Sequence, residues 1–404
     1  MAVPLGSDED DVGGSGRSGD ATARRAGGAG LIDWSVAERV ATRILSRRPA
    51  PLGYRQASVQ DDFVELTAQA EELVAASTGW RAPTVARAVV TDRPGWVRVN
   101  VASMQRLLGP TLRKYEEKRA EGRRSSPLAG LSLRLPEPLA GTVSGAVSGA
   151  GRTVSGAQLG AVLSWMSTRV LGQYDLLITE EMAEDQDVLY YVGPNVVSLE
   201  ARFGFPPREF RLWLALHEVT HRCQFTAVPW LRDHFLALVD QGLEPFRADP
   251  RRLVEMVRRV AEQVRAGESP LEDAGMIGIV AGEEQMQAIR QLQALMSLLE
   301  GHGDVVMDRA GAAAVPGAQR FGAVLRERRE QARGPAKVLQ RLLGLEAKFR
   351  QYAEGEAFVH AVEAAGGTDL MDIVWQGPAW LPSLAEIREP DRWIDRVRAM
   401  PAAG

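Results

Sequence analysis

Two of the chain's five histidines stand four residues apart in FRLWLALHEVTHRCQF, as His217-Glu218-Val219-Thr220-His221. Phe210, Trp213, Leu214 and Leu216 precede them with no Gly or Pro between, so the segment reads as a helix with an apolar face. Residues i and i+4 of a helix lie one above the other on one face. Two imidazoles so placed reach one tetrahedral metal ion from the same side, and Glu218 stands beside the ion, where it can take a proton from a water. With so few histidines, the number of such motifs expected by chance is on the order of 0.004. The fold must therefore bury one face of this helix, bring a third donor to it from elsewhere, and leave a position open for water.

The stretch LQALMSLLEGHGDVVMD (292–308) offers that donor. Glu300 and Asp304 are four apart on a predicted helix and face the same way. A carboxylate inside so apolar a run is costly without a cation or hydrogen bonds. The spacing fits a division of labour, with Glu300 on the metal and Asp304 holding the free ring nitrogen of a liganding histidine. His302 competes for the ligand role, but it lies about 200° round the helix from Glu300, so both cannot easily reach one ion. Imidazole and carboxylate ligands point to Zn²⁺, although they also accept neighbouring divalent metals.

Composition narrows the class. The 404 residues are 45% apolar and 25% charged, enough for a sizeable core. A formal charge of −4 leaves no basic excess for nucleic acid. The single cysteine, Cys223, excludes a disulfide framework and reads as a small buried hydrophobe. No secretory signal and no apolar run long enough to span a membrane are present, which gives a cytoplasmic expectation. Residues 1–30, rich in Gly, Ser and Asp, read as a disordered tail.

Helical patterns dominate the remainder. They fit 61–78, 99–122 (interrupted at Gly109-Pro110), 156–172, the HEVTH segment, and roughly 230–246, 249–266, 282–309, 318–333, 335–365 and 383–399. VSGA occurs at 143, 147 and 154, which suits either a Gly/Ser-rich loop or a closely packed small-residue helix. Residues 187–200, DVLYYVGPNVVSLE, read as a strand or strand pair broken by a turn at Gly193-Pro194-Asn195. Asn195 would then mark the rim of an edge strand where an extended substrate adds by β-pairing. The fold class is mostly α (α+β) with a small sheet. A mainly helical N-terminal region (31–180) and a catalytic region (181–404) pack as one unit.

LALHEVTH on a helix, with a downstream Glu and an Asp four later, resembles the zincin metallopeptidases of the gluzincin type. The resemblance is closer still to a bacterial family of zinc-dependent metalloproteases or hydrolases, whose members are often labelled as associated with deazaflavin coenzyme biosynthesis. It rests on TVSGAQLGAVLSWMSTRVLGQYD, LYYVGPNVVSLE, FRLWLALHEVTHRCQF, LQALMSLLEGHGDVVMD, KFRQYAEGEAFVHAVEAAGG and WLPSLAEIREPDRWIDRV, spread over nearly everything but the tail. It implies a zincin-like fold with an active-site helix, His217, His221 and Glu300 on zinc, and Glu218 as general base. The sequence departs from the general gluzincin pattern in the long stretch between His221 and Glu300. No residue supports a flavin-like site.

These readings converge on a zinc-dependent hydrolase, with a peptide or a small amide as substrate. The alternatives are a non-catalytic zinc-containing helical scaffold that binds a partner, or a hydrolase of a small cofactor precursor. Stabilising the oxyanion needs a further donor. Tyr352, Arg350, His302 and His360 are the candidates; His234 reads as a helix residue without a catalytic role.

Overall fold

The computed structural model describes residues 32–51, 54–124, 137–175, 187–248, 283–330 and 345–400. The tail read over 1–30 and the helix expected over 249–266 lie outside the described residues. In chain order the elements are α1 (Trp34–Leu45), α2 (Gln56–Thr78), β1 (Arg87–Thr91), α3 (Arg93–Arg124), α4 (Glu137–Ser167), β2 (Gly172–Tyr174), β3 (Val188–Val192), α5 (Gly193–Phe203), α6 (Pro207–Ala227), α7 (Leu231–Ala248), α8 (Glu283–Gly311), α9 (Ala318–Glu330), α10 (Leu345–Asp372), α11 (Leu384–Arg388) and α12 (Pro390–Ala399). The protein is mostly helical with one small sheet, the expected fold class.

The sheet has the order β1-β3-β2, parallel between β1 and β3 and antiparallel between β2 and β3. It draws strands from both sides of residue 180. β3 is therefore the central strand, and its Val188, Leu189, Tyr191 and Val192 are buried. The outer side of β1 is covered by α2. Gln60 accepts from the Val90 N–H and donates to the Ala88 carbonyl, while Gln56 donates to the Val90 carbonyl. Side-chain amides there replace a missing strand and close that edge to further pairing.

Residues 193–200 correct the strand-pair expectation. Gly193-Pro194 starts helix α5 instead of making a turn, because a proline at the first helical position has its φ preset and lacks an N–H that would go unused. Asn195 is not at a rim. Its side chain is buried, donating to the carbonyls of Ser167 and Val170 and accepting from Arg93 Nε. Gly109-Pro110 does not interrupt α3, which runs from Arg93 to Arg124. The VSGA repeats lie within helix α4, whose Gly156 and Gly160 let it touch α1. A Cβ on either would fall 2.2 Å from a carbonyl oxygen, of Asp33 and Ala37 respectively.

Helix α6 begins at Pro207 with Glu209 in its first turn, and is buried on nearly all sides. Its apolar residues join α2, the sheet and α9 in the largest core, where Phe321 packs edge to face on Phe205, Phe210 and Trp213. A helix buried all round must also bury its charges, and each has partners. Arg211 is held by both oxygens of Glu200 at 2.8 Å and by Asp62. Arg222 is fully buried and bonds Glu71 of α2 at 2.6 Å, the Thr84 carbonyl and Asp187. Asp187 has φ 64, a left-handed conformation in which its carboxylate also receives the Thr84 hydroxyl. These ties fix the rotation of α6 about its axis, and so the direction its histidines face.

Helix α8 crosses beside α6 and runs along α10 with almost no space between them. A Cβ on Gly301 would lie 2.1 Å from the Gly355 carbonyl carbon, and one on Gly355 would lie 2.0 Å from the Ser297 oxygen. Ala294, Leu298 and Val305 of α8 enclose a second core with Phe358, Val359, Val362 and Trp393. Among the described residues no helix is long and apolar enough to cross a membrane.

Candidate metal centre

His217 and His221 project from α6 toward Glu300 of α8. Their Nε2 atoms are 3.2 Å apart, and Glu300 Oε2 lies 3.9 Å from the first and 3.7 Å from the second. Among the described residues these three form a group whose ligand atoms all lie within 4.8 Å of one another. Donors about 2.0–2.2 Å from a tetrahedral zinc stand about 3.3 Å apart, so the residues present fit such an ion. Two imidazoles and one carboxylate also leave the fourth position open.

Asp304, one turn beyond Glu300, places Oδ1 3.9 Å from His217 Nδ1, within ion-pair range but beyond a hydrogen bond. Gly303 lets α8 lie flush against the other ring, since a Cβ there would meet His221 Cε1 at 3.3 Å. Exposure divides the site. The side chains of His217 and Asp304 are 26% and 32% exposed, whereas Glu218 is 7% exposed. The site is therefore more open to solvent on the His217 and Asp304 side than on the Glu218 side.

Glu218 turns to the sheet. It accepts from the Tyr174 N–H of β2, and a Cβ on Gly172 would lie 2.3 Å from its Oε1. The carboxylate therefore occupies the space left by a missing side chain on the edge strand. Burial pushes the Glu218 carboxyl up to about 7, and the charge of Glu300 adds to this, while His221 and the Tyr174 amide pull the other way. Burial draws the His221 ring down, but Glu300, Glu218 and a hydrogen bond to Gln224 more than offset it, and the ring stands at about 9.

The structure does not bring the remaining candidates together. His302 is buried and bonded to Gln224 of α6 rather than directed at the three ligand atoms, with its ring 5.3 Å from that of Trp80 and 4.9 Å from that of Trp375. Burial drives it down to about 3, so it is neutral, and it does not join the metal group. The periodicity explains the correction, because residue 302 faces away from residue 300 on a helix. His360 is 61% exposed and lies 4.0 Å from Glu356 on the same helix, outside the site. Tyr352 and Arg350 are on α10, but their side chains lie outside the described residues. His234 packs on Trp230, and Cys223 is buried.

Sequence reasoning missed Gln224, Gly172 and the Tyr174 N–H. Gln224 had a signal, since positions 217, 221 and 224 follow the i, i+4, i+7 spacing of one helix face. Gly172 and Tyr174 had none, because a three-residue strand carries no periodicity.

Comparison with known proteins gives the family. The family model for zincin-like metallopeptidases matches residues 32–394, and the chain belongs to that family. A crystal structure from Chloroflexus aurantiacus, described as a candidate hydrolase with a novel fold, is 30% identical. The match covers 92% of this chain and 100% of that one, with a TM-score of 0.62. Nothing matches among curated proteins. Family and neighbour together support a hydrolase.

Proposed function

We propose that the protein is a zinc-dependent hydrolase of peptide or amide bonds, with His217, His221 and Glu300 as metal ligands and Glu218 as general base. The observation that carries this reading is the convergence of three ligand atoms from two helices beside a buried carboxyl. When bound, zinc supplies Lewis acidity, polarising the scissile carbonyl and acidifying the attacking water.

The chain's own residues do the rest. Glu218, raised to about 7 by burial, is poised to accept a proton near neutral pH. It takes that proton as the water oxygen bonds to the carbonyl carbon. It then delivers the proton to the leaving nitrogen as the C–N bond breaks, so one water is consumed and a carboxylate and an amine form. Asp304, within ion-pair range of His217 Nδ1, favours that ring's orientation by its charge rather than by a hydrogen bond.

Membership of the zincin-like metallopeptidase family favours peptides over a small amide.

The test compares wild type with Glu218→Gln on a peptide library and on small amides. The variant should keep its zinc and lose about 10²- to 10⁴-fold in kcat, the scale of a general base. Turnover at the wild-type rate by the variant would end this reading. Cleavage of small amides alone would keep the chemistry and reject the peptide substrate.

A further inference from the structure

Gln224 lies on α6, three residues past His221, and its side chain is completely buried between α6 and α8. Its amide makes three hydrogen bonds, and their geometry leaves no ambiguity of orientation. The group 2.8 Å away on one side is the Leu299 carbonyl, which can only accept, so the amide nitrogen faces it. The second amide N–H then donates to His302 Nδ1 at 3.1 Å. The oxygen is left facing His221 Nδ1 at 2.9 Å, and it can only accept. Nδ1 of His221 must therefore carry a hydrogen, which leaves Nε2 as the nitrogen directed at His217 and Glu300.

The two residues bound by the amide nitrogen flank Glu300 directly, Leu299 before it and His302 two beyond. His302 is held in turn between Trp80 and Trp375. One buried amide thus touches the second histidine of α6 and, on α8, the residue before Glu300 and the residue two beyond it. We infer that Gln224 is a positioning residue, which fixes His221 in its Nδ1–H tautomer and sets the spacing between the helices that supply the two kinds of metal ligand. This rests on the reading of His217, His221 and Glu300 as a zinc site.

The experiment is a zinc titration against a competing chelator, on wild type, Gln224→Met and Gln224→Glu, with circular dichroism to show that each variant is folded. Methionine keeps the volume and removes all three hydrogen bonds. It should weaken zinc about 10- to 100-fold, the scale found for partners that orient a liganding histidine. Glutamate restores an oxygen opposite His221 Nδ1 but not the donors to Leu299 and His302, so it should recover part of that loss. Wild-type affinity in Gln224→Met, or no recovery in Gln224→Glu, would overturn the inference.

A readout on the wild type needs no variant to fold. In the zinc-loaded protein the His221 Nδ1 proton, buried and hydrogen-bonded, should give a proton resonance protected from solvent exchange. Its absence in a zinc-loaded sample would also overturn the inference. A wild type that binds no zinc fails at the first arm, which distinguishes failure of the metal reading from failure of the Gln224 assignment.

Discussion

Substituting Ala at Gly172 introduces a methyl group where the Glu218 carboxylate now lies, 2.3 Å from Oε1. Its backbone is in a region any residue adopts, since Gly172 is not among the positive-φ glycines, so the effect is steric. The base must move, and misplacement by about 1 Å costs on the order of 10²-fold in rate. Gly172→Ala should therefore lower kcat by about that factor and leave zinc affinity within a few fold, measured by paired kinetics and metal titration. An unchanged kcat would mean that Glu218 needs no fixed seat. A second expectation concerns His221. Its ring stands at about 9 without metal, so a proton must leave before zinc can bind. Zinc affinity should rise with pH between about 7 and 9, by up to tenfold per unit. A flat affinity over that range would contradict the raised value.

At the scale of elements, the site depends on how closely α8 approaches its neighbours. Gly301 sits next to Glu300 and touches the backbone of Gly355. Gly301→Ala or Gly355→Ala must push α8 and α10 apart, and overpacking of this kind costs about 1–3 kcal/mol. The urea midpoint should fall in both variants, and zinc should bind more weakly as Glu300 shifts. A variant with normal stability and affinity would show that the helices have room to part. This scale also marks the limit of what sequence reveals. His217, Glu218 and His221 were legible because their spacing is a property of a single helix, and Glu300 because an acid in the apolar run LMSLLEGHGDVVM stands out chemically. The short strands β1 and β2 were not, since three to five residues carry too little periodicity. Val196-Val197 suggested a strand, yet Pro194 at a helix start decided the backbone. The burial of Arg222 and Gln224 was not legible in a helix read as having one apolar face. Their burial is set by α2, the 84–87 segment and α8, none of which is near them in sequence.

For the whole molecule, metal and fold are linked. A ligand that binds only the native state stabilises it by about 2.7 kcal/mol at a hundredfold excess over its dissociation constant. Zinc should raise the thermal midpoint and a chelator lower it. The metal-free protein should also lose stability as pH rises from 7 to 9. His221 is raised above its unfolded value of 6.5, so the stabilisation it contributes is fully present below 6.5 and is lost as pH rises through about 9. Glu218, raised to about 7, is only half-titrated there and acts in the same direction in the lower part of that window, whereas His302, at about 3, does not act in it. Zinc removes the His221 proton and with it this dependence. A metal-free midpoint that climbs between pH 7 and 9 would contradict the assignment. The resemblance to zincins carried the overall architecture well, because a buried HEVTH helix facing a second helix with an acid is a demand on the entire fold.

The central claim is that α6 and α8 together hold one metal ion. It is tested most directly by the zinc content of purified wild type, His221→Ala and Glu300→Ala, each confirmed as folded. The geometry predicts about one zinc per chain in the wild type and none in either variant. A wild type without metal after zinc-replete, chelator-free purification would contradict the claim, and zinc retained by Glu300→Ala would remove α8 from the site.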